Sequence, residues 1–485
     1  MNNSYQSTHL KKEVLTRIVQ AFFSDSFSEN THYIPYDMRP KGAEVPFRCC
    51  IHKERAVLRD RAIAGLGFSI EEDDDRTLLM DYAKKSLERE QPAEQVLTVL
   101  DEACKGCVGG KIFVTDLCQG CVARPCESTC KFGAVSIVNG RSVIDSSKCK
   151  RCKMCISVCP YSAIAQIKVP CEDACPVGAI AKNDLGLAQI DFDKCISCGK
   201  CVASCPFGAV HEKSQLVDIM KYIKSKTQIV AMIAPSIVGQ FPCNIYQLKT
   251  ALLQGGFTDV YEVAEGADIT TKNEAKEFNE RMEKGDEFMT TSCCAGYNQF
   301  IKKHLPEIKP FVSDTKTPLY YTAELVKQKY PEAKIVFVSP CVAKRSEVQE
   351  NPNVDYVMNY EELSAYFDGR GINVSLCEET PFATECSKQG RTFGVSGGVA
   401  AAVKKASVCE DCVQPCYING LSKETIKELK KYAKEGKCEN GNLVEVMCCE
   451  GGCIGGNATL NSPKLAAKTL AGFVKDGKDI DKIGE

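Results

Sequence analysis

The sequence predicts an α/β domain at its C-terminal end, an α+β cysteine-rich region before it, and a mainly helical N-terminal segment. Three observations carry this reading. Residues 1–103 contain only Cys49 and Cys50, and "KKEVLTRIVQAFF" and "RTLLMDYAKKSLERE" space their apolar residues as helices do. Residues 104–210 hold sixteen of the 31 cysteines and little other core material. Residues 216–485 alternate short apolar runs, "QIVAMIAP", "AKIVFVSP" and "NLVEVMCC", with helical stretches such as "TKNEAKEFNERMEK", "PLYYTAELVKQKY" and "SKETIKELKKYAKEG". That alternation favours α/β layers. Short Ser, Pro and Cys motifs follow the carboxyl ends of all three runs, where open α/β sheets place their sites. The expected divisions are 1–103, 104–215 and 216–485.

The bulk numbers exclude several classes. Lys and Arg total 61 against 63 Asp and Glu, which argues against a general nucleic-acid binder. No apolar run approaches the ~20 residues of a membrane span. The start, "MNNSYQSTHLKKEVL", lacks an apolar signal core, so a cytoplasmic protein is expected. In a reducing compartment thiols serve metals or redox chemistry more often than disulfides.

The cysteine-rich region repeats one phrase: "CKFGAV" at 130, "CPYSAI" at 159, "CPVGAI" at 175 and "CPFGAV" at 205. Cys149, Cys152, Cys155 and Cys159, and again Cys195, Cys198, Cys201 and Cys205, read C-x2-C-x2-C-x3-C-P. This is the bacterial ferredoxin run for a cubane, whose fourth cysteine serves the partner cluster. Zinc would need only two cysteine pairs. Cys118, Cys121, Cys126 and Cys130 form a looser version. The crossing rule groups Cys118, Cys121, Cys126 and Cys159; Cys149, Cys152, Cys155 and Cys130; and Cys195, Cys198, Cys201 and Cys175. Cys104, Cys107, Cys171 and Cys205 remain, so four cubanes are permitted, and three with spare thiols is the rival count. Either way the region reads as an electron conduit.

After residue 216 the cysteines fall in three separated motifs: "TSCCAGY" at 291–297, "SPCVAK" at 339–344 and "EVMCCEGGCIGG" at 445–456. Four thiolates from three distant segments can hold one more cubane. These motifs resemble the three signatures of the iron-only hydrogenases, over about residues 225–465 plus the ferredoxin-like region before them. The resemblance implies two lobes of mixed sheet flanked by helices around the H-cluster, a 4Fe-4S cubane joined through one cysteine to a two-iron unit with carbon monoxide, cyanide and a bridging dithiolate. By motif position its ligands are Cys294, Cys341, Cys449 and Cys453, with Cys453 shared. Cys293 is then the thiol that passes protons, since splitting H2 releases a proton that needs a nearby acceptor. Adjacent cysteines point different ways because they do different jobs.

The same resemblance extends a proton path through Glu274, Ser313, Glu277 and Arg281. Taken alone, Glu274, Glu277 and Arg281 would be one face of a salt-bridged surface helix. It also places Pro235, Ser236, Lys344, Phe393 and Met447 around the two-iron unit. This chain departs from the family pattern at Ala295, Tyr297, Ser339 and the extra thiol Cys448, which implies a divergent branch. Implied partners are H2 and protons, a ferredoxin-type electron carrier and hydrogenase maturation proteins. Other readings are an iron–sulfur assembly or electron-transfer scaffold without the two-iron unit, and an H2 sensor. No G-x-G-x-x-G follows a strand, so nicotinamide chemistry would need another chain.

Some cysteines stand outside these motifs. Cys409, Cys412 and Cys416 offer a site for an extra metal, with Cys386 or Cys438 as a fourth ligand. Burial is the favoured reading of Cys49 and Cys50, and a core role that of Cys243 and Cys377. No histidine is assigned as a ligand.

Overall fold

The computed structural model describes residues 6–44, 48–104, 107, 111–475 and 477–483. The first five residues, part of the stretch read for a signal core, lie outside them. Among the described residues no helix is long and apolar enough to cross a membrane.

The N-terminal segment is helical over Gln6–Phe22, Phe27–Met38, Ile51–Gly65 and Leu79–Glu88. The first helix buries Leu10, Val14, Leu15, Ile18, Val19 and Phe22 along one side. It lies against the C-terminal domain's helix Tyr360–Arg370, closely enough that a Cβ on Gly369 would come 2.6 Å from Val19. Lys11 is buried in this joint and pairs with Glu361 at 2.5 Å and with Glu212. Burial alone would lower its pKa, but the two carboxylates outweigh burial and raise it. Strand Leu97–Val99 then pairs antiparallel with Val210–Glu212, closing the N-terminal segment onto the end of the cysteine-rich region.

The cysteine-rich region is built of short pieces: helices Pro125–Ser128, Met154–Ser157, Pro170–Ala174 and Lys200–Ser204, and antiparallel hairpins Val135–Val138 with Arg141–Ile144 and Ile180–Lys182 with Ala188–Ile190. It docks on the C-terminal domain through helix Ala295–His304. Lys303 donates to the carbonyls of Phe192 (2.8 Å) and Cys195 (2.9 Å), and His304 Nε2 lies 2.7 Å from the Lys194 carbonyl oxygen.

The C-terminal domain has two sheets. One runs in the order Asp259–Glu262, Ile229–Ile233, Lys334–Val338, Tyr356–Met358; the other runs Met289–Thr290, Leu443–Met447, Pro415–Asn419. Both are wholly parallel, not mixed as expected. The reason lies in the connections, which return over the sheets through helices and so favour parallel neighbours. Ile229–Ile233 and Leu443–Met447 are buried at every position, as central strands covered on both faces require. Val230, Met232, Ile335 and Phe337 pack into one apolar layer, while Ile229, Ala231, Ile233, Val336 and Val338 face the other.

Three leftover cysteine readings need correction. Cys49 and Cys50 are exposed, not buried, because they precede the helix Ile51–Gly65 instead of lying on its inner face. Cys409 and Cys412 form a disulfide, against the expectation that thiols here serve metals. The three thiols of the expected extra site do not converge: Cys416 turns instead into the core beside Cys438 and Tyr432. Cys386 lies elsewhere, among Glu262, Glu265 and Arg391. Cys377 is buried and Cys243 is half-buried near it.

Candidate active site

The carboxyl ends of both parallel sheets face one cavity. From the first sheet, Ile229–Ile233 delivers Ala234, Pro235 and Ser236, and Lys334–Val338 delivers Ser339 and, one turn on, Lys344. From the second, Met289–Thr290 delivers Cys293 and Cys294, and Leu443–Met447 delivers Met447 and then Cys453. Phe393 closes the wall. The cavity has a volume of about 70 Å³ and is almost entirely apolar. Thus Pro235, Ser236, Lys344, Phe393, Met447, Cys293, Cys294 and Cys453 all line one space.

Cys341 and Cys449 stand just behind Cys294 and Cys453. Burial pushes the Cys341 thiol up to about 12 and Cys453 up to about 11, and it raises Cys449 well above the ordinary thiol range. Cys294 and Cys453 both add to the rise at Cys341 and Cys449, so the four sulfurs form one group. The Cys448 amide donates to Cys294 Sγ at 3.4 Å, and the Cys341 amide to Ser339 Oγ at 3.3 Å. Glycine is required in the third motif at Gly452, whose φ is +84° and where a Cβ would meet the Ser396 amide at 2.6 Å.

Lys344 is buried, donates to the Cys293 carbonyl at 3.3 Å and pairs with Glu347 at 2.5 Å. Burial alone would lower its pKa; Glu347 outweighs that and raises it, so a cation faces the cavity. Glu347, which also accepts from Thr317 Oγ1 at 2.7 Å, was not singled out from sequence; its i+3 spacing from Lys344 was the available signal.

Behind Cys293 runs a line of acid groups on helix Ala264–Glu283. Glu274 is 1% exposed, and neither carboxylate oxygen makes a well-formed hydrogen bond, although the Ser313 hydroxyl and the Ser292 amide lie close enough to offset part of the effect of burial. Burial, then the Glu277 charge, pushes it up to about 8. Burial raises the Cys293 thiol too, and Glu274 is the charge that adds most. Glu277 accepts from Ser313 Oγ (2.8 Å), Thr315 Oγ1 (2.7 Å) and the Asp314 amide (2.9 Å), and pairs with Arg281 at 2.8 Å. Burial alone would raise Glu277; these donors and Arg281 hold it below the usual carboxylate value. Arg281 reaches Asp314, whose side chain is 78% exposed. The face expected of a plain surface helix is therefore buried at one end and solvated at the other.

The accessory thiols also group. Cys104, Cys107, Cys171 and Cys205 act on one another. So do Cys195, Cys198, Cys201 and Cys175, and Cys155 with Cys149, Cys152 and Cys130. Cys118 and Cys126 meet at Ser142, and Cys126 shares a small core with Cys159. The repeated phrase has a repeated geometry. The amide four residues on donates to the sulfur of Cys130 (3.3 Å), Cys159 (3.3 Å), Cys175 (3.1 Å) and Cys205 (3.3 Å). Arg151 and Ser197, and likewise Lys153 and Gly199, take positive φ at matching places in the two complete runs. Non-glycine residues pay for that conformation, and it turns successive amides to one side, as anion-holding loops do. Thiolate sets with inward amides fit anionic cubanes, and the four thiols of the cavity fit another, since apolar surroundings penalise free thiolates that a metal would neutralise.

Residues 227–457 match the model of the iron only hydrogenase large subunit, C-terminal domain. Residues 227–457 belong to the iron-only hydrogenase family. Before them, 142–165 match a 4Fe-4S binding domain and 165–216 the LdpA Fe-S cluster-binding domain. Similar curated proteins include iron hydrogenase 1 of Clostridium pasteurianum, 27% identical over 49% of this chain and 48% of that one. The NADP-reducing hydrogenase subunit HndD of Solidesulfovibrio fructosivorans is 26% identical over 71% and 64%. The periplasmic Fe hydrogenase large subunit of Nitratidesulfovibrio vulgaris is 26% identical over 50% and 72%. The chain thus spans about half of the first relative and under two thirds of the second. Among solved structures, the FeFe-hydrogenase HydA1 of Chlamydomonas reinhardtii aligns with TM-score 0.45 at 21% identity, covering 53% of this chain and 88% of that one.

Proposed function

We propose that the chain is a hydrogenase that interconverts H2 with protons and electrons. The observation that carries this is an apolar cavity with a four-thiol group on one side, a buried lysine on another, and a line of acid groups leading from it to solvent. In this reading Cys294, Cys341, Cys449 and Cys453 hold the cubane of the H-cluster, and Lys344, Ser236 and Pro235 receive its cyanide-bearing two-iron unit. When bound, that group supplies the metal centre at which the H–H bond is made or broken.

The chain's own residues do the rest. Phe393, Met447, Ala234 and Val263 exclude water from the cavity. The Cys293 thiol takes or gives the proton while remaining close to neutral, which suits an apolar wall. Glu274, neutral near pH 7, exchanges with Cys293 on one side and with Ser313 and Glu277 on the other. Arg281 holds Glu277 ionised and aims it. Glu274 must regain from Cys293 the proton it passes toward Glu277, so that the buried carboxyl is not left ionised.

Residues 104–215 conduct electrons through up to four cubanes, held by the sixteen cysteines grouped above. Residues 216–485 are the catalytic domain, and 1–103 brace the two through Lys11. A ferredoxin-type protein exchanges the electrons, dedicated maturation proteins supply the two-iron unit, and the cytoplasm is the compartment. Infrared spectroscopy of protein co-produced anaerobically with hydrogenase maturation proteins tests the reading. Metal-bound carbon monoxide and cyanide bands that shift under H2 are expected. Their absence, with every cubane present and a control hydrogenase matured alongside, would favour an electron-transfer or assembly scaffold.

A further inference from the structure

Cys448 is the thiol that the catalytic motifs leave over, and it sits between two of the thiol groups. Its backbone and its side chain reach opposite ways. The amide donates to Cys294 Sγ at 3.4 Å, on the cavity's four-thiol group. The thiol packs beside Cys198, the middle cysteine of the last ferredoxin run, both side chains lying over Gly296. The site is walled off from solvent: Cys448 is 4% exposed and packs with Ile196, Tyr297 and Val446, with Cys198 and Cys294 at the edge of that core.

Neighbouring residues keep it there. A Cβ on Gly296 would lie 3.0 Å from Cys448 Sγ and 3.9 Å from the Cys198 Cβ, so the absence of a side chain at 296 makes room for the contact. The loop carrying Cys198 is pinned to the same wall. Asn457 Nδ2 donates to the Cys198 carbonyl, and Gly199 is pressed against Asn457 and Val342.

We propose that Cys448 is a positioning residue that bridges the accessory cubane of Cys198 to the cubane of Cys294, with its thiol donating to Cys198 and its amide to Cys294. This rests on the ligand sets proposed above for those two cubanes, and not on the two-iron unit. A hydrogen bond to a cluster sulfur stabilises the more negative, reduced cluster and so raises its reduction potential. The side chain acts only on the accessory cluster, because the bond to Cys294 comes from the backbone. The proximal accessory cluster is thereby poised to exchange electrons with the catalytic one through a single residue.

The test is a redox titration, followed by electron paramagnetic resonance, of protein carrying its cubanes but made without maturation proteins. Wild type, Cys448→Ala and Cys448→Ser are compared. Iron content should be equal in all three. In Cys448→Ala one accessory midpoint should move to lower potential while the Cys294 cubane keeps its own, and Cys448→Ser should restore part of the shift. Unchanged midpoints in Cys448→Ala would overturn the bridge. So would the loss of four irons, which would make Cys448 a ligand. A shift confined to the Cys294 cubane would overturn it as well. A Cys198→Ala control that keeps every accessory cubane would refute the ligand set beneath the proposal. The infrared bands of matured protein report separately on the hydrogenase reading, so the two failures are told apart.

Discussion

Replacing Glu274 by glutamine tests the proton line at its most buried point. The carboxyl is pushed from 4.5 to about 8, first by burial and then by the Glu277 charge. At about 1.36 kcal/mol per pKa unit, this corresponds to roughly 5 kcal/mol disfavouring the ionised side chain in the folded protein. The sign follows from linkage. In the unfolded chain the group ionises near 4.5; in the fold it holds its proton to about 8. Its contribution to stability is therefore most favourable below 4.5 and is lost as pH rises through about 8. Infrared titration of the carboxylic-acid carbonyl band reads this directly, with Glu274→Gln as the blank. The expected result is a band that disappears with a midpoint near 8 in wild type and is missing in the variant. Turnover in the variant should fall by about 10²–10⁴-fold, the usual worth of a positioned acid–base group. A band lost at an ordinary carboxylate pH, or one that survives the substitution, would refute the electrostatic argument. Full turnover in Glu274→Gln would remove the residue from the path.

Other consequences follow from the same contacts. Cys293→Ala should lose most H2 turnover while iron content stays at the wild-type level; parallel loss of iron would show that Cys293 is a ligand instead. Lys11→Met leaves Glu212 and Glu361 facing each other in the joint between the three segments, and should cost about 3–5 kcal/mol in the denaturant-induced release of the N-terminal helices. Limited proteolysis cutting near residue 25 in the variant and not in wild type would show the same loss. Cys171→Ser should lower iron by one cluster without abolishing the infrared bands of the matured site; unchanged iron would leave three accessory cubanes as the count. Gly266→Ala places a Cβ 2.1 Å from the Pro318 carbonyl oxygen, so helices Ala264–Glu283 and Pro318–Lys329 must separate. A loss of about 1–3 kcal/mol in thermal or denaturant stability is expected, and wild-type stability would contradict the close approach.

The cysteine motifs were legible in the sequence because their spacing is local. C-x2-C-x2-C-x3-C-P must wrap a small cluster within a dozen residues, so spacing alone betrays it. The runs at 229–233, 334–338 and 443–447 were legible for a similar reason: strands buried on both faces are mainly apolar, interrupted here only by Lys334 at a strand end and by Glu445, which accepts from the Gly397 and Ala400 amides. Convergence was decided only in three dimensions. Nothing in the spacing of Glu274 on its helix says that one end of that face is sealed from water, because burial depends on what packs over it. The parallel order of both sheets and the Lys11 joint likewise depend on residues far away in the chain. So does the place of Cys448. The sequence by itself marked it as a surplus thiol beside a proposed ligand; only the docking of the Cys198 loop beside Cys448 sets that thiol between two groups of thiols. Local covalent spacing determines which residues can ligate, whereas long-range packing determines which charges are buried and which groups meet.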